Sequence, residues 1–340
     1  MSALRPIEII GGGLAGLSLG LALRRESVPV TIHEAGTYPR HRVCGEFITG
    51  LSATTIARLQ LGPALAGALP HRAVAWFIAG RPPRIQRLPA PALGLSRHTL
   101  DARLAAAFTA AGGELRTLAR VTDDAPQPGR VFATGRRQGR SPWLGLKIHA
   151  PGLPLERDLE LHLGDEAYVG LTRVEEGRVN ICGLFRRRPL AAPGVGLLVK
   201  YLEAAGLPAL AARLQAARCD AASFSAVAAL GFDARVPAAP RLQLGDACAM
   251  IPPFTGNGMA MAFQSAETAL TPLLDYACGQ SDWRTTTRLI RSRLRGRFRL
   301  RLASARLLHP YLLQSSRQRW LAGLARARLL PFRLFYAMLH

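Results

Sequence analysis

Cysteine is scarce in this sequence. Five occur in 340 residues, no two of them form a CxxC pair, and they stand at Cys44, Cys182, Cys219, Cys248 and Cys278. An odd number without close pairs argues against a disulfide framework and against a zinc site. We therefore expect no metal centre and a reducing compartment, the cytoplasm.

Long apolar runs are also missing. The first 25 residues carry an early arginine and several apolar residues, as a secretion signal does, but Glu8 interrupts the run and closely spaced glycines follow it. No later run reaches the roughly 18 uninterrupted apolar residues of a membrane-spanning helix. Internal repeats and low-complexity tracts are absent, and 49% of the residues are hydrophobic. The sequence therefore predicts a globular chain with a large core and enough length for two packed domains.

Acidic residues are few relative to basic ones. The chain has 44 Lys and Arg against 22 Asp and Glu, a formal net charge of +22, and its only lysines are Lys147 and Lys200. GC-rich coding produces such an arginine excess, but a basic surface also attracts phosphates, anionic lipids and nucleic acid. No nucleic-acid-binding motif accompanies the charge, and aromatic residues make up only 6% of the chain. We therefore expect no nucleic-acid partner.

The strongest pattern lies near the N-terminus. An apolar run at 7–10 predicts a buried strand, the following glycines predict a tight turn into a helix, and a second apolar run ends in an acid. Gly11 allows the turn, Gly13 lets the backbone approach a pyrophosphate at the helix N-terminus, and Gly16 lets helix and strand pack closely. Glu34 would meet a ribose hydroxyl. This βαβ unit predicts a dinucleotide site.

Two later motifs make the pattern specific. Residues 39–46 read PRHRVCGE, and residues 242–259 contain LQLGDA followed by PPFTGNGM. With the first glycines, these motifs resemble those of the FAD-dependent oxidoreductases of the aromatic-hydroxylase and geranylgeranyl-reductase superfamily, which share the p-hydroxybenzoate-hydroxylase-like fold. The resemblance covers roughly residues 6–275, with the motifs in the order that the family has them.

The resemblance implies FAD as the cofactor, NAD(P)H as a transient electron donor, and Cys44 as a catalytic-site residue beside the flavin. It implies a contact between Asp246 and the ribityl chain, and backbone N–H groups over 256–259 that face the pyrimidine edge of the flavin. The FAD-binding residues carried over are Gly11, Gly13, Leu14, Ala15, Gly16, Glu34, Ala35, Arg42, Arg97, Val121, Asp246, Pro253, Gly256, Asn257, Gly258 and Met259.

Three of these positions have a plainer interpretation that stays open. Arg42 could be a solvated loop arginine, and Cys44 could be a small buried hydrophobic residue. The segment around Arg97 could matter only because Ser96 and Thr99 cap a helix.

The predicted fold class is α/β, with a Rossmann-like FAD-binding domain, an interleaved antiparallel-sheet substrate domain and a C-terminal helical segment. Local patterns predict a helix over 51–69, a strand over 73–79, a proline-rich loop over 82–93, strands over 114–121 and 130–134, and a helix over 195–217. The domains then comprise 1–70, 96–142 and 240–285 for FAD, 71–95 and 143–239 for substrate, and 286–340 for the C-terminal helices.

The resemblance favours an NAD(P)H-dependent monooxygenase that hydroxylates an apolar aromatic or polyketide-like substrate. The Trp-x-Trp pattern of flavin halogenases is absent, and the aromatic-rich strand motif of geranylgeranyl reductases is not clear at 168–171. Reduction of carbon–carbon double bonds in a lipid or prenyl group is the alternative activity. A non-catalytic basic adaptor for membranes or nucleic acid is the alternative from another class.

The last 55 residues differ in character. Ile290, Leu294, Phe298 and Leu302 recur every four residues beside an arginine row at 291, 295 and 299, which predicts an amphipathic basic helix. Such a helix either covers the core or lies on an anionic membrane surface. A cytoplasmic protein that contacts the inner face of the membrane through 286–340 is therefore one expectation, and core packing alone is the other.

Overall fold

Two sheets organise the chain. The computed structural model describes residues 3–78, 81–123, 125–136, 140–232, 241–327, 329 and 332–339. The first sheet is parallel, has the strand order β13-β7-β1-β2-β6, and consists of β1 Ile7–Ile10, β2 Val30–His33, β6 Glu114–Arg116, β7 Arg130–Phe132 and β13 Leu242–Gln243. Its short apolar strands are covered by helices, as the burial of Ile9 and Ile32 requires.

The second sheet has eight strands in the order β12-β8-β11-β10-β9-β4-β5-β3. Neighbours run antiparallel except β4 and β9, which are parallel. Its strands are β3 Phe47–Ile48, β4 Leu69–Ile78, β5 Arg84–Gly94, β8 Trp143–Pro151, β9 Leu159–Gly164, β10 Ala167–Arg173, β11 Arg178–Arg186 and β12 Asp220–Ala228.

The helices are α1 Leu14–Arg25, α2 Ala53–Arg58, α3 Arg97–Ala110, α4 Val195–Ala204, α5 Pro208–Ala216, α6 Gly258–Ala277, α7 Trp283–Leu313, α8 Ser315–Arg326 and α9 Phe332–Leu339. Helix α1 packs between α3 and α6 over the parallel sheet, and α4 and α5 pack on the second sheet. The predicted fold class, a Rossmann-like unit with an interleaved sheet and C-terminal helices, is confirmed.

The proline-rich segment 82–93 was expected to be a loop, and this prediction was wrong. Residues 84–94 form β5, which pairs with β4. The register jumps from His71 opposite Ala92 to Ala73 opposite Arg87, so Pro89 and Pro91 fall in a bulge where the ladder needs no N–H donor. A bulge therefore lets a strand contain two prolines.

Three other element predictions needed correction. The helix expected over 51–69 ends at Arg58, because Gln60 adopts a left-handed φ of 50°. The helix expected over 195–217 breaks into α4 and α5 at Gly206, whose φ is +73°. The strand expected over 73–79 begins earlier, at Leu69, and residue 79 lies outside the described residues.

The strands expected over 114–121 and 130–134 are shorter than predicted. They are β6 and β7, and they are not neighbours: β6 pairs with β2 and β7 pairs with β1. The segment between them therefore links two strands that are separated by β2 and β1 in the sheet, and it is not a hairpin loop.

The apolar stripe of the C-terminal segment is buried. Ile290, Leu294, Phe298 and Leu302 lie in the same core as α1, α3 and α6, with exposed fractions of 0 to 5%. The stripe itself is therefore closed to any lipid surface. Among the helices of the described residues, none has both the length and the apolar character needed to cross a bilayer.

Candidate active site

One large cavity joins the glycine-rich turn to the second sheet. It has a volume of about 1430 Å³ and is lined at one end by Gly13 and Glu34 and at the other by Leu161, Tyr168 and Leu312. Sites for drug-sized ligands occupy roughly 300–1,000 Å³. The cavity therefore has room for more than one molecule of that size.

The three glycines of the first motif differ in what surrounds them. A Cβ on Gly11, where φ is +111°, would lie 2.3 Å from the carbonyl oxygen of Ala133, and one on Gly16 would lie 2.0 Å from the carbonyl oxygen of Gly11. A Cβ on Gly13 would meet no atom within 4 Å and would point into open space. Gly11 and Gly16 therefore permit close backbone packing, whereas Gly13 leaves room for a ligand at the N-terminus of α1.

Glu34 is held in place at the end of β2. One carboxylate oxygen accepts from the backbone N–H of Gly12 at 2.8 Å, and the other accepts from Gly36 at 3.0 Å and from Arg40 at 2.6 Å. Burial alone would raise the pKa of this carboxyl, but the charges of Arg40 and Arg42 and the two N–H donors lower it overall. Glu34 is therefore an ionised acceptor on the cavity wall.

A buried carboxylate positions the two predicted arginines. Asp101 is fully buried and accepts from Arg97 through both oxygens, at 2.7 and 2.8 Å, and from Arg42 at 3.0 Å. The bidentate pair has the i,i+4 spacing of helix α3, which begins at Arg97 after the N-cap Ser96. Capping and arginine positioning thus occur at the same helix end. Neither arginine is a freely solvated loop residue.

Asp246 and the N-terminus of α6 face the same cavity. Burial raises the pKa of the Asp246 carboxyl, and the charges of Arg97 and Arg136 oppose that rise. Gly256 has a left-handed φ of +68°, and a Cβ on Gly258 would point into open space. The turn therefore presents backbone N–H groups rather than side chains to whatever binds there.

Cys44 lines the cavity next to the second sheet. Its Sγ accepts from the backbone N–H of Glu46 at 3.4 Å, and its carbonyl accepts from Asn180 at 3.0 Å. Burial raises the pKa of the thiol, so Cys44 is a neutral group at pH 7. It forms no disulfide, and Cys182 lines the cavity beside it.

The other end of the cavity is apolar and lies under the C-terminal helices. Tyr168 is 3% exposed and its hydroxyl accepts from the backbone N–H of Phe254 at 3.3 Å. Arginines line the wall as well, at Arg81, Arg84 and Arg326. The remaining apolar lining residues include Trp76, Ile78, Leu88, Leu161, Leu163, Leu308, Leu312, Leu321, Phe332 and Phe335.

The structure brings most of the sequence-predicted site residues to this cavity. Gly16 and Asn257 are the exceptions. Gly16 lies behind the turn, and the Asn257 side chain donates to the carbonyl of Leu339 at 2.7 Å, which ties α9 to the start of α6. The residues that line it are Gly11, Gly13, Leu14, Ala15, Glu34, Ala35, Arg42, Cys44, Arg97, Val121, Asp246, Pro253, Gly256, Gly258 and Met259.

Sequence reasoning missed the buried partners of these residues. Asp101 had a usable pattern, its position four residues after Arg97 on a predicted helix. Glu46, Lys147 and His149 had none, because they converge from a loop and a strand a hundred residues apart.

Comparison with known proteins identifies structures that share this fold. No protein-family model and no curated protein matches the chain. Among solved structures, the flavin-dependent brominase Bmp2 matches with a TM-score of 0.73 and 16% identity over 92% of this chain and 88% of that one. PqsL of Pseudomonas aeruginosa, in complex with 2-aminobenzoylacetate, matches at 0.72 and 15% over 93% and 98%.

A geranylgeranyl bacteriochlorophyll reductase-like protein from Thermoplasma acidophilum matches at 0.71 and 14% over 92% and 88%. The chain thus has the fold shared by flavin-dependent halogenases, monooxygenases and geranylgeranyl-reductase-like proteins. The resemblance to the FAD-dependent aromatic-hydroxylase and geranylgeranyl-reductase superfamily is confirmed at the level of the fold.

Proposed function

We propose that the protein is an FAD-dependent oxidoreductase that acts on a lipophilic small molecule. The observation that carries this proposal is the continuous cavity that runs from the Gly13 turn to the apolar end at Tyr168. Its two ends suit two different molecules, a dinucleotide at the polar end and an apolar substrate at the other. The shared fold of flavin-dependent neighbours supports the choice of FAD.

The residues at the polar end fit FAD. Open space above Gly13 and the N-terminus of α1 suit a pyrophosphate, and the ionised Glu34 suits a ribose hydroxyl. Asp246 and the turn before α6 would hold the ribityl chain and the pyrimidine edge. When bound, FAD would supply the redox chemistry, and the protein would supply orientation and electrostatics.

The chain's own residues would then do three things. Arg42 and Arg97, fixed by Asp101, would place fixed positive charge beside the bound phosphates or flavin. Backbone N–H groups over 256–259 would stabilise negative charge on the ring. The C-terminal helices would exclude water from the apolar end, with α9 held by the bond from Asn257 to Leu339.

Within this class we favour an NAD(P)H-dependent monooxygenase that hydroxylates an apolar aromatic or polyketide-like substrate. The apolar wall formed by Trp76, Leu161 and Phe335 supports such a substrate. The sequence has no second dinucleotide fingerprint, so NAD(P)H would visit the flavin transiently. Reduction of a lipid or prenyl carbon–carbon double bond is the second candidate, since the same apolar wall would hold an isoprenoid chain.

The test is to purify the protein, remove free flavin by gel filtration and record its visible spectrum. We expect bound FAD, either as isolated or after incubation with FAD. A folded protein that retains no flavin would overturn the proposal and leave the non-catalytic adaptor. With FAD retained, substrate-dependent oxygen consumption under NADPH indicates a monooxygenase. Anaerobic NADPH oxidation coupled to an alkene indicates the reductase.

We further propose that 286–340 contact anionic membranes, but not through the apolar stripe, which is buried. The contact would use the exposed Arg295 and Arg299 together with exposed apolar side chains of the segment. These apolar side chains, with exposed fractions of 57 to 69%, are Leu300, Leu307, Trp320, Leu329 and Leu334.

Vesicle sedimentation tests this contact. We expect binding to anionic vesicles that weakens with salt, because exposed charges are screened within about 10 Å at 0.1 M. The triple change of Arg291, Arg295 and Arg299 to Gln should reduce binding, whereas Arg157→Gln, an exposed arginine outside the segment, should not. Equal binding to neutral and anionic vesicles, or no binding to either, would mean that the segment only packs against the core.

A further inference from the structure

Three ionisable side chains are buried together behind the cavity wall, outside the residues that would hold FAD. Glu46, Lys147 and His149 are each fully buried. Lys147 Nζ lies 3.1 Å from one oxygen of Glu46, and His149 Nε2 lies 2.7 Å from the other. Burial alone would raise the pKa of the Glu46 carboxyl, but His149 and Lys147 lower it overall. The carboxylate is therefore the anion of this cluster.

Glu46 occupies its position against a backbone preference. Its φ is 52°, in the left-handed region that a glycine or asparagine would enter with less strain. Strained conformations of this kind cluster at functional sites. The long side chain at this position is what joins Lys147 and His149, and a backbone N–H from Arg97 at 3.0 Å also binds it.

The cluster reaches the cavity through His41. Lys147 Nζ lies 3.2 Å from His41 Nδ1, and His41 lines the cavity beside Val43 and Cys44. We propose that His41 is the proton-transfer residue of this cavity, and that Lys147, Glu46 and His149 position it and supply its proton. This inference rests on the proposed function for the reaction that uses the proton.

The donor inventory fixes the tautomer of His41. A lysine ammonium only donates, so Nδ1 of His41 accepts and the neutral ring carries its proton on Nε2. The Nε2–H bond breaks as that proton passes to a bound substrate anion, while an ammonium proton of Lys147 passes to Nδ1. Lys147 is left as the neutral amine and His41 as the Nδ1–H tautomer. A solvent water then donates a proton to Nε2 and leaves as hydroxide, and the Nδ1 proton returns to Lys147.

His41 is surrounded by groups that keep it neutral. Lys147 and His149 face it from β8, His98 stacks on it from α3 at 4.5 Å, and Asp220 of β12 comes within 4.8 Å of both His41 and His149. Burial and then the charge of Lys147, with smaller effects of the two histidines, lower the pKa of His41 to about 4, against which Glu46 acts only weakly. The ammonium beside this group also opposes the binding of a metal cation there.

Histidine NMR on the intact protein tests the network without any reaction. We expect His41, assigned by comparison with His41→Gln, to be neutral and Nε2-protonated from pH 5 to 8. Lys147→Met should raise its titration midpoint by about one pH unit or more and abolish the tautomer preference. Lys200→Met is the matched control, because Lys200 is the only other lysine and is exposed. Titration of His41 near pH 6.5 in the unmodified protein would overturn the proposal even if Lys147→Met fails to fold.

A chromogenic phenol tests proton exchange with a bound molecule. We expect 4-nitrophenol at pH 8, where the free phenol is mostly ionised, to show less phenolate absorbance with the unmodified protein than with His41→Gln, because His41 passes a proton to the bound anion. Lys200→Met, at an exposed position, should behave like the unmodified protein. Equal phenolate with all three proteins overturns the role of His41. Flavin retention is measured separately. A protein that retains no flavin but shows the expected His41 titration and tautomer contradicts the proposed function. A protein that retains flavin but lacks the expected His41 behaviour contradicts the proton-transfer network alone.

Discussion

The two ends of the cavity are built differently. At the polar end, Gly13, Glu34 and Arg42 lie within thirty residues of one another in sequence, and each is fixed by named hydrogen bonds or backbone contacts. At the apolar end, side chains such as Trp76 and Leu312 come from separate strands and helices and are fixed by packing. The polar end is therefore encoded by short sequence motifs, whereas the apolar end forms only when the sheets and the C-terminal helices pack together.

This difference predicts how each end responds to substitutions. Polar groups in fixed geometry tolerate little change, because a lost partner leaves a buried charge unsatisfied. Apolar walls tolerate volume-conserving changes, but they disfavour charged groups that are buried without partners. Changes at the polar end should therefore affect cofactor binding and the stability of the folded protein. Changes at the apolar end should affect substrate preference and stability in acid.

The largest expected effect separates two glycines of the same turn. Gly13→Val should reduce FAD binding at least 100-fold while the protein stays folded, because its side chain enters the open space that a pyrophosphate needs. Gly16→Val should instead prevent folding, because its Cβ would meet the Gly11 carbonyl oxygen at 2.0 Å. Circular dichroism and flavin absorbance after gel filtration check both.

The control for this pair is Gly62→Val, where a Cβ meets nothing within 4 Å and lies outside the cavity lining. It should leave both folding and FAD binding unchanged. If Gly13→Val retains FAD at the level of Gly62→Val, the polar end is not the pyrophosphate site.

The next effect concerns the carboxylate beneath the two arginines. Asp101→Asn should destabilise the protein by about 3–5 kcal/mol, because it removes the buried counter-charge of Arg97 and one of the two carboxylates beside Arg42. Urea denaturation measures the loss. Glu114→Gln is the control, since Glu114 pairs with Arg116 on an exposed edge and such pairs contribute little. Equal stability of the two variants would mean that Asp101 does not organise the polar end.

Acid should weaken the packing around His309 at the apolar end before it affects Glu34 at the polar end. Burial lowers the pKa of His309, which packs among Tyr168, Phe232 and Phe254, to about 4, and that of His71 to about 4 as well. In the unfolded state both histidines bind a proton already near pH 6.5. The free energy of unfolding therefore keeps its full value above that pH and falls as pH drops towards 4, by at most about 3 kcal/mol for each histidine.

Glu34 at the polar end has a lowered pKa, so its contribution is lost only as pH falls below 4.5. Melting temperatures between pH 7 and 4 test this order. His309→Phe should flatten the dependence, because it removes the buried imidazole. The same slope in the unmodified protein and in His309→Phe would show that His309 is not the acid-sensitive group.

The smallest effect is expected at the junction of the two ends. Cys44→Ala should change turnover or substrate preference a few-fold and leave FAD content nearly unchanged, because Cys44 lines the cavity but is neither charged nor bonded to a cofactor-binding side chain. Cys278→Ala, at an exposed position, serves as the control. Activity and spectrum identical to those of the parent would make Cys44 a packing residue.

The sequence predicted, for local reasons, which residues meet at the polar end. Glycine spacing after an apolar run determines a strand–turn–helix conformation, and an acid at the end of the next parallel strand must lie near the same helix N-terminus. The placement of Gly13 and Glu34 follows from such short-range rules. The failures were also local in origin: the prolines of 82–93 suggested a loop because a bulge depends on the partner strand, which a single segment does not specify.

By itself, then, the sequence determined the βαβ unit, the FAD-type motifs, the fold class and the amphipathic character of α7. The tertiary structure determined which other residues those features contact. It buried the apolar stripe from Ile290 to Leu302, lined the cavity with α8 and α9, and brought Glu46, Lys147 and His149 behind His41. These outcomes depend on contacts between different elements of the chain, and periodicity and spacing within one segment carry no information about such contacts.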